Sequence, residues 1–392
     1  MRGSAIIVQQ ERAERYGMAN VGPVGVGIIG AGMISEFYLE NLTRFPDTNV
    51  LGIADIDLDR AQASAEKWEL PYAGTTEDLL ANPDIEIVLN LTIPAAHASV
   101  STAALEAGKH VWSEKPITVD RESARSLVDL ARQRGLLLGI APDTLLGRGW
   151  QTGIRAIHSG AIGTPQTAVT SFQWQGPDWF HVNPEFLFAP GGGPVFDMGP
   201  YYFYALVHLL GPITKVAATG RTGLLIRRIR QGPRTGTEFP VEVFTHVSIL
   251  AEFEQGGAAQ SLLSFDTSLF RHGVFEINGT EGTMFLPDPN RFDGEIRIAR
   301  PLENFERPIE QQWETIEAVG AEAGRGLGVL DMARHIRTGG SHIATGDLGL
   351  HVLDILIAVE ESAMRGEFVP VESTVASPAS LPEAFDPFQA TL

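Results

Sequence analysis

The chain has no cysteine, and among its 392 residues only four are lysine: Lys67, Lys109, Lys115 and Lys215. Without thiols there is no disulfide framework, no thiolate nucleophile and no cysteine-ligated metal. No apolar run approaches the roughly 20 residues that cross a bilayer. The N-terminus lacks a basic segment followed by an apolar one, so a cytoplasmic location is the default expectation. Positive charge is scarce, and the formal net charge is −19. So acidic a chain is repelled by phosphate backbones and anionic lipid; neither nucleic acid nor membrane is expected as a partner. Lys67 and Lys215 read as ordinary surface lysines, which makes Lys115 the more notable. His181, His208, His246 and His272 show no ligand-like spacing, and no metal site is expected.

What is present is an ordinary globular composition, 44% hydrophobic and 20% charged, on a chain too long for one small core. Residues 1–23 begin mostly polar and read as an arm. From 24 to 145, short apolar strands over Val24–Ile29, 50–54, 85–91, His110–Ser113 and 136–140 alternate with helices over 33–45, Leu58–Trp68, 97–107 and Arg121–Arg134. That rhythm predicts βαβ units and a doubly wound parallel α/β sheet. From 146 to 392 the pattern changes. Strand-like segments follow one another through short turns such as Glu254-Gln255-Gly256-Gly257, which indicates a mostly antiparallel sheet. Helices near 199–210, 324–338 and 348–365 would cover one face. This is an α+β domain, and the Pro/Ser-rich residues 370–382 read as a terminal tail.

Gly30-Ala31-Gly32-Met33-Ile34-Ser35 follows the first strand and matches Gly-x-Gly-x-x-Gly with Ser35 in the third place. The first glycine permits a tight turn, the second lets a pyrophosphate approach the backbone, and the third position serves packing, where a small residue can substitute. The following helix would aim its N-terminal N–H groups at the phosphates. Asp55 ends the second strand, 20 residues beyond Ser35. A carboxylate there can bind ribose hydroxyls and repel a 2′-phosphate, which predicts NAD over NADP. Its plainer role is a helix cap, but Asp57 or Asp59 can fill that role.

Val26 to Ser35, Asp55, Pro94-Ala95-Ala96-His97, the run Ala104 to Pro116 with Glu114-Lys115-Pro116 at its end, and Gly191 to Gly199 resemble the Gfo/Idh/MocA family of sugar and polyol oxidoreductases. The likeness spans about 24 to 370. It implies an N-terminal Rossmann domain, a C-terminal domain with a large open sheet, a cleft between them, and homo-oligomers, dimer or tetramer, made through that sheet. It implies NAD held around Gly30, Gly32, Met33, Ile34, Asp55, Thr92, Pro94, His97, Glu114 and Lys115. It also implies that Lys115 acts beside the nicotinamide, and that Asp197 contacts a carbohydrate substrate. Many relatives carry histidine four residues after that Asp and another Asp three later; here these are Tyr201 and Tyr204.

Oxidising a secondary alcohol needs hydride transfer and removal of the hydroxyl proton. Lys115 is the leading proton carrier if burial or a cationic nicotinamide lowers its pKa; if it stays protonated, it polarises the carbonyl in the reduction direction instead. Tyr201 is the second, if Lys115 stabilises its phenolate; otherwise it is a core aromatic. Asp197 binds substrate hydroxyls or caps the helix after it. Trp174, Trp179 and His181 lie in a segment rich in aromatic faces suited to a sugar ring. Asp143 and Thr144 follow the last strand of the parallel sheet, where ligands bind. His97 could also serve only as a cap. The reading is an NAD-dependent dehydrogenase acting on a sugar, glycoside or cyclitol. Its rivals are an NAD-using glycoside-cleaving enzyme and a non-catalytic sensor on the same fold.

Overall fold

The first apolar run, Val24–Ile29, is strand β1, and all six of its residues are buried. This is seen in a computed structural model that describes residues 22–302, 311–339 and 342–392. The expected N-terminal arm lies outside the described residues apart from its last two. Around β1 stand β2 (Thr48–Ala54), β3 (Ala73–Gly74), β4 (Ile87–Asn90), β5 (His110–Ser113) and β6 (Leu138–Ile140). All pair in parallel, in the order β3-β2-β1-β4-β5-β6. The intervening helices are α1 (Met33–Leu42), α2 (Leu58–Trp68), α3 (Thr76–Ala81), α4 (Pro94–Glu106) and α5 (Arg121–Arg134). Asp57 caps α2, accepting from the Arg60 amide, and Asp120 caps α5, accepting from the Ser123 amide. Two residues of β3 and six of α3 are too few to show a period, so neither is legible as a pattern. Strand order reverses between β1 and β4. A ligand crevice forms there, outside the carboxyl ends of the strands.

After α6 (Arg148–His158) the second sheet is built from β7 (Pro165–Gln173), β8 (Ile213–Arg221), β11 (His246–Phe253), β12 (Ala258–Ser264), β13 (Arg271–Gly279), β14 (Thr283–Phe285), β15 (Ile296–Ala299), β16 (Glu314–Ile316) and β17 (Val369–Pro370). Its order is β16-β15-β14-β13-β7-β12-β11-β8-β17. Every pair is antiparallel except β7 with β12. A separate hairpin joins β9 (Ile226–Arg228) to β10 (Glu238–Pro240). Burial alternates along β11, with one side chain in the core and the next on the open face. Helices α7 (Gly193–Leu210) and α9 (Gly346–Arg365) pack on the other face. Thus a Rossmann α/β unit precedes an α+β unit with a large, mostly antiparallel sheet.

Several element ends shift by two or three residues from the sequence reading, and three further differences bear on the site and the fold. Helix α7 begins at Gly193 and not near 199, because Pro194 in its first turn suits a helix start. Helix α8 (Leu327–Thr338) begins later than expected, since 324–326 form a loop. It packs on the first sheet, where a Cβ on Gly328 would fall 1.9 Å from the Trp112 ring. The expected tail is no free end. The Val371 amide donates to Thr214 O, that of Leu381 to Gln151 Oε1, and those of Thr391 and Leu392 to Asp47 Oδ1. Buried apolar residues, Val371 and Leu381, and satisfied backbone groups tie the segment across both units.

Candidate active site

The two glycines of the nucleotide turn are required for different reasons. Gly30 has φ +107°, and a Cβ there would lie 2.6 Å from the Leu91 carbonyl oxygen, so the chain itself excludes a side chain. Gly32 has an ordinary φ of −78°, and a Cβ there would meet nothing within 4 Å. No protein contact requires glycine at 32. The bare, open backbone at the start of α1 fits a pyrophosphate laid against it. Ser35 is fully buried, its hydroxyl donating to Gly32 O, as a packing position demands. Met33 is largely exposed beside this turn, Ile34 is partly packed on the core, and Ile56 and Ile93 present exposed apolar groups on the neighbouring turns. These residues fit NAD: a bare glycine turn, a helix N-terminus and apolar rims.

Asp55 accepts from the amides of Ala31 (2.7 Å) and Asp57 (2.9 Å), so its carboxylate braces the glycine turn. Arg60 stands 3.7 Å from it. Thr92 donates its hydroxyl to Asn90 Oδ1, and Pro94 opens α4. His97, expected beside the cofactor, sits in the first turn of α4. It is buried, with Nδ1 2.6 Å from Pro116 O and Nε2 3.0 Å from Thr92 O; burial lowers its pKa, and the neutral ring donates its one N–H to one of these two carbonyls. It clamps two cofactor-side loops together. Glu114 is likewise buried, and its carboxylate accepts from the Tyr38 hydroxyl and the Lys115 amide, so it supports the loop from behind.

Strand β5 delivers Lys115 to helix α7 of the second unit. Its ammonium donates to Asp197 O at 2.7 Å and to Asp197 Oδ1 at 3.0 Å, and it lies 5.2 Å from the Tyr201 ring centroid. Pro200 lies inside α7, where it offers no N–H to the Phe196 carbonyl and disturbs that turn. The adjacent Asp197 carbonyl is taken by the lysine. Asp197 sits within the helix, which rules out the capping role. Burial opposes the charge on Lys115, but Asp197, the Tyr201 hydroxyl and Glu114 outweigh it and hold the amine's pKa above its ordinary value. The proton-carrier role read from the sequence depended on that pKa falling. The carboxylate at hydrogen-bond distance reverses the sign.

Other expected substrate contacts lie elsewhere. Asp143 and Thr144 are fully buried; Asp143 Oδ2 accepts from the amides of Gly326 and Gly328. The loop before α8 covers the end of β6, so Asp143 anchors that loop and cannot face a substrate. Trp174 is partly buried among Phe172, Phe180, Phe265, Phe270 and His272. Trp179 carries Arg230 over its ring at 5.0 Å and lines a cleft of about 600 Å³ to which neither Lys115 nor Asp197 contributes. His181 accepts from the Asn183 amide and is close enough to Asp197 to feel its charge. Two residues were missed. Arg325 Nη2 donates to the Tyr201 hydroxyl oxygen at 3.0 Å, and Tyr38 holds Glu114. Nothing local marks either residue. Only the glycines on both sides of Arg325 hinted at an unusual loop.

Residues 24–141 match the model of an oxidoreductase family with an NAD-binding Rossmann fold, and residues 150–285 match that of the GFO/IDH/MocA C-terminal domain. The 1,5-anhydro-D-fructose reductase of Ensifer adhaerens is 25% identical over 88% of this chain and 98% of the reductase. A trans-1,2-dihydrobenzene-1,2-diol dehydrogenase of Bos taurus is 26% identical over 79% of this chain and 86% of its own length. A levoglucosan dehydrogenase solved with NADH and levoglucosan superposes with a TM-score of 0.77 at 22% identity, over 89% of this chain and 99% of that one. At that identity the superposition speaks for the fold alone.

Proposed function

The chain belongs to the Gfo/Idh/MocA oxidoreductases, and from that premise we propose that it moves a hydride between NAD and a ring carbon bearing a secondary hydroxyl, on a small sugar, anhydrosugar or cyclic polyol. The observation that carries this is the Lys115–Asp197 pair with Tyr201 beside it, at the carboxyl end of β5. NAD, when bound, supplies the hydride acceptor. The Lys115 ammonium donates to the substrate oxygen and polarises it. Asp197 orients that ammonium and accepts from a neighbouring substrate hydroxyl. Tyr201 exchanges the proton of the reacting oxygen, because an ammonium held charged is a poor base. Gly30, Gly32 and Asp55 hold the dinucleotide. The charge of Asp55 favours NAD over NADP, and equal affinity for NADH and NADPH would contradict that preference. Among the described residues no helix is long and apolar enough to cross a membrane. The open face of the second sheet is the surface we assign to homo-oligomers.

The test is a panel of sugars, glycosides, anhydrosugars and inositols, followed by NADH absorbance. Steady NADH formation with one class of ring alcohol is expected. Glycoside cleavage without net NADH, or tight sugar binding without turnover, would replace this reading.

A further inference from the structure

We infer that Arg325 is a positioning residue for the reaction: it donates to the Tyr201 hydroxyl oxygen and so turns that hydroxyl's own proton toward the cleft beside Lys115. The inference rests on the proton role given to Tyr201 above.

A phenol oxygen has one proton to give and lone pairs to receive, whereas a guanidinium only donates. With Arg325 Nη2 at 3.0 Å, one lone pair is filled and the O–H cannot point at the arginine. Among the described residues this is the hydrogen bond that Tyr201 Oη makes. Its proton is left to the side of the oxygen away from the guanidinium, while the Lys115 ammonium lies over the ring face, 5.2 Å from the centroid. In the reducing direction the carbonyl carbon gains the hydride and the carbonyl oxygen takes the Tyr201 proton. The negative charge left on the phenol oxygen then faces the guanidinium at hydrogen-bond distance. In the oxidising direction the same atoms move in reverse.

Arg325 is itself held from several sides. The Gly324 amide donates to Asn41 Oδ1 at 3.2 Å, and those of Gly326 and Gly328 donate to Asp143 Oδ2 at 2.8 and 3.2 Å. The loop that carries the arginine is thus pinned by backbone amides to the first unit on both sides. Nη1 faces Glu114 at 3.7 Å and Asp143 at 3.9 Å, too far for hydrogen bonds, so these carboxylates steer it by charge. One prong to the phenol and one toward two carboxylates is a guanidinium geometry that a single ammonium cannot copy. This assigns a role to Asp143 as well: it holds the loop that holds the arginine.

The test compares R325M, R325K, Y201F and the R325M/Y201F double variant with the intact enzyme. Turnover on the substrate found in the panel, NAD dissociation constants and melting temperatures are measured. R325M is expected to lower kcat about 10- to 100-fold, the range of a misaligned proton-transfer group. NAD affinity should stay within about threefold, and R325K should recover only part of the rate. The decisive reading is the double variant, which should be no slower than Y201F alone because the arginine acts through the phenol. Full multiplicative loss in the double variant, or normal kcat in R325M, overturns the inference. Normal kcat in Y201F overturns the underlying reading of Tyr201 instead. Should R325M not fold, R325Q, which keeps a donor of shorter reach, takes its place in the cycle.

Discussion

At the scale of single residues, Lys115 shows how context decides chemistry. Lysine in an apolar pocket tends to lose its proton, and lysine against a carboxylate keeps it. Here the partner lies 3.0 Å away. Lys115→Ala is therefore expected to cost about 10²–10⁴ in kcat while NAD affinity changes little; steady-state kinetics with a nucleotide titration checks this. His208 makes the opposite case. It lies in the core of α7 with both ring nitrogens buried and unpartnered, near His158. Burial lowers its pKa to about 4, and His158 adds to the effect. Unfolded histidine binds its proton at about pH 6.5. Between those values the unfolded state binds more protons, so stability falls as pH drops from about 6.5 to 4. His208→Leu should remove a loss of about 3 kcal/mol across that window. Denaturant unfolding of both forms at pH 7 and pH 4.5 would show no difference in slope if the imidazole were charged in the fold.

The element that matters most is the turn from β1 into α1. Its two glycines separate folding from binding. Gly30→Ala adds a side chain at φ +107° and against the Leu91 backbone, and should lower the melting temperature sharply. Gly32→Ala meets no protein atom. It should leave the melting temperature of the nucleotide-free protein within a degree or two and weaken NADH binding by about tenfold or more, because the methyl would stand on the face proposed for the pyrophosphate. Thermal scans with and without NADH separate the two effects. Equal behaviour of the two variants would show that the turn is not the phosphate cradle. Helix α7 is the second decisive element. Pro200 disturbs the turn that carries Asp197 and Tyr201, and the lysine from the first unit takes the adjacent Asp197 carbonyl.

On the scale of the whole molecule, the two units are joined by more than the cleft. Helix α8 lies on the first sheet, and residues 371–392 run back to Asp47. Asp47 is almost fully buried and accepts from the Thr391 amide and hydroxyl, the Leu392 amide and Arg334. Phe388 packs on Phe45, with Arg44 over its ring. Asp47→Ala would take the carboxylate from Arg334, which keeps the Asp386 and Gln389 carbonyls, and would leave the Thr391 and Leu392 amides without their acceptor; it is expected to cost about 1–3 kcal/mol, read as a lower denaturant midpoint. Burial raises the Asp47 carboxyl's pKa, but Thr391 and Arg334 outweigh that and leave it lowered. The strap's contribution is therefore complete above the ordinary carboxylate range and fades as pH falls below it. An unchanged midpoint would mean that the strap merely rests on the surface.

The glycine turn, Asp55 after the second strand, Lys115 after a later one and the α/β-then-β rhythm were all legible in the chain. Each depends on near neighbours: a periodicity, a cap, a glycine within a few residues of a helix start. The partners of those groups were not legible. Lys115 meets Asp197 across 82 residues, Arg325 meets Tyr201 across 124, Asp143 meets Gly326 across 183, and Thr391 meets Asp47 across 344. The sequence by itself determined which local turns and ionisable groups exist and in what order. The tertiary structure alone decided that the lysine stays charged, that Asp143 anchors a loop instead of a substrate, and that an arginine stands behind the tyrosine. Charge state and hydrogen-bond direction depend on which groups meet in space, and no local pattern encodes that meeting.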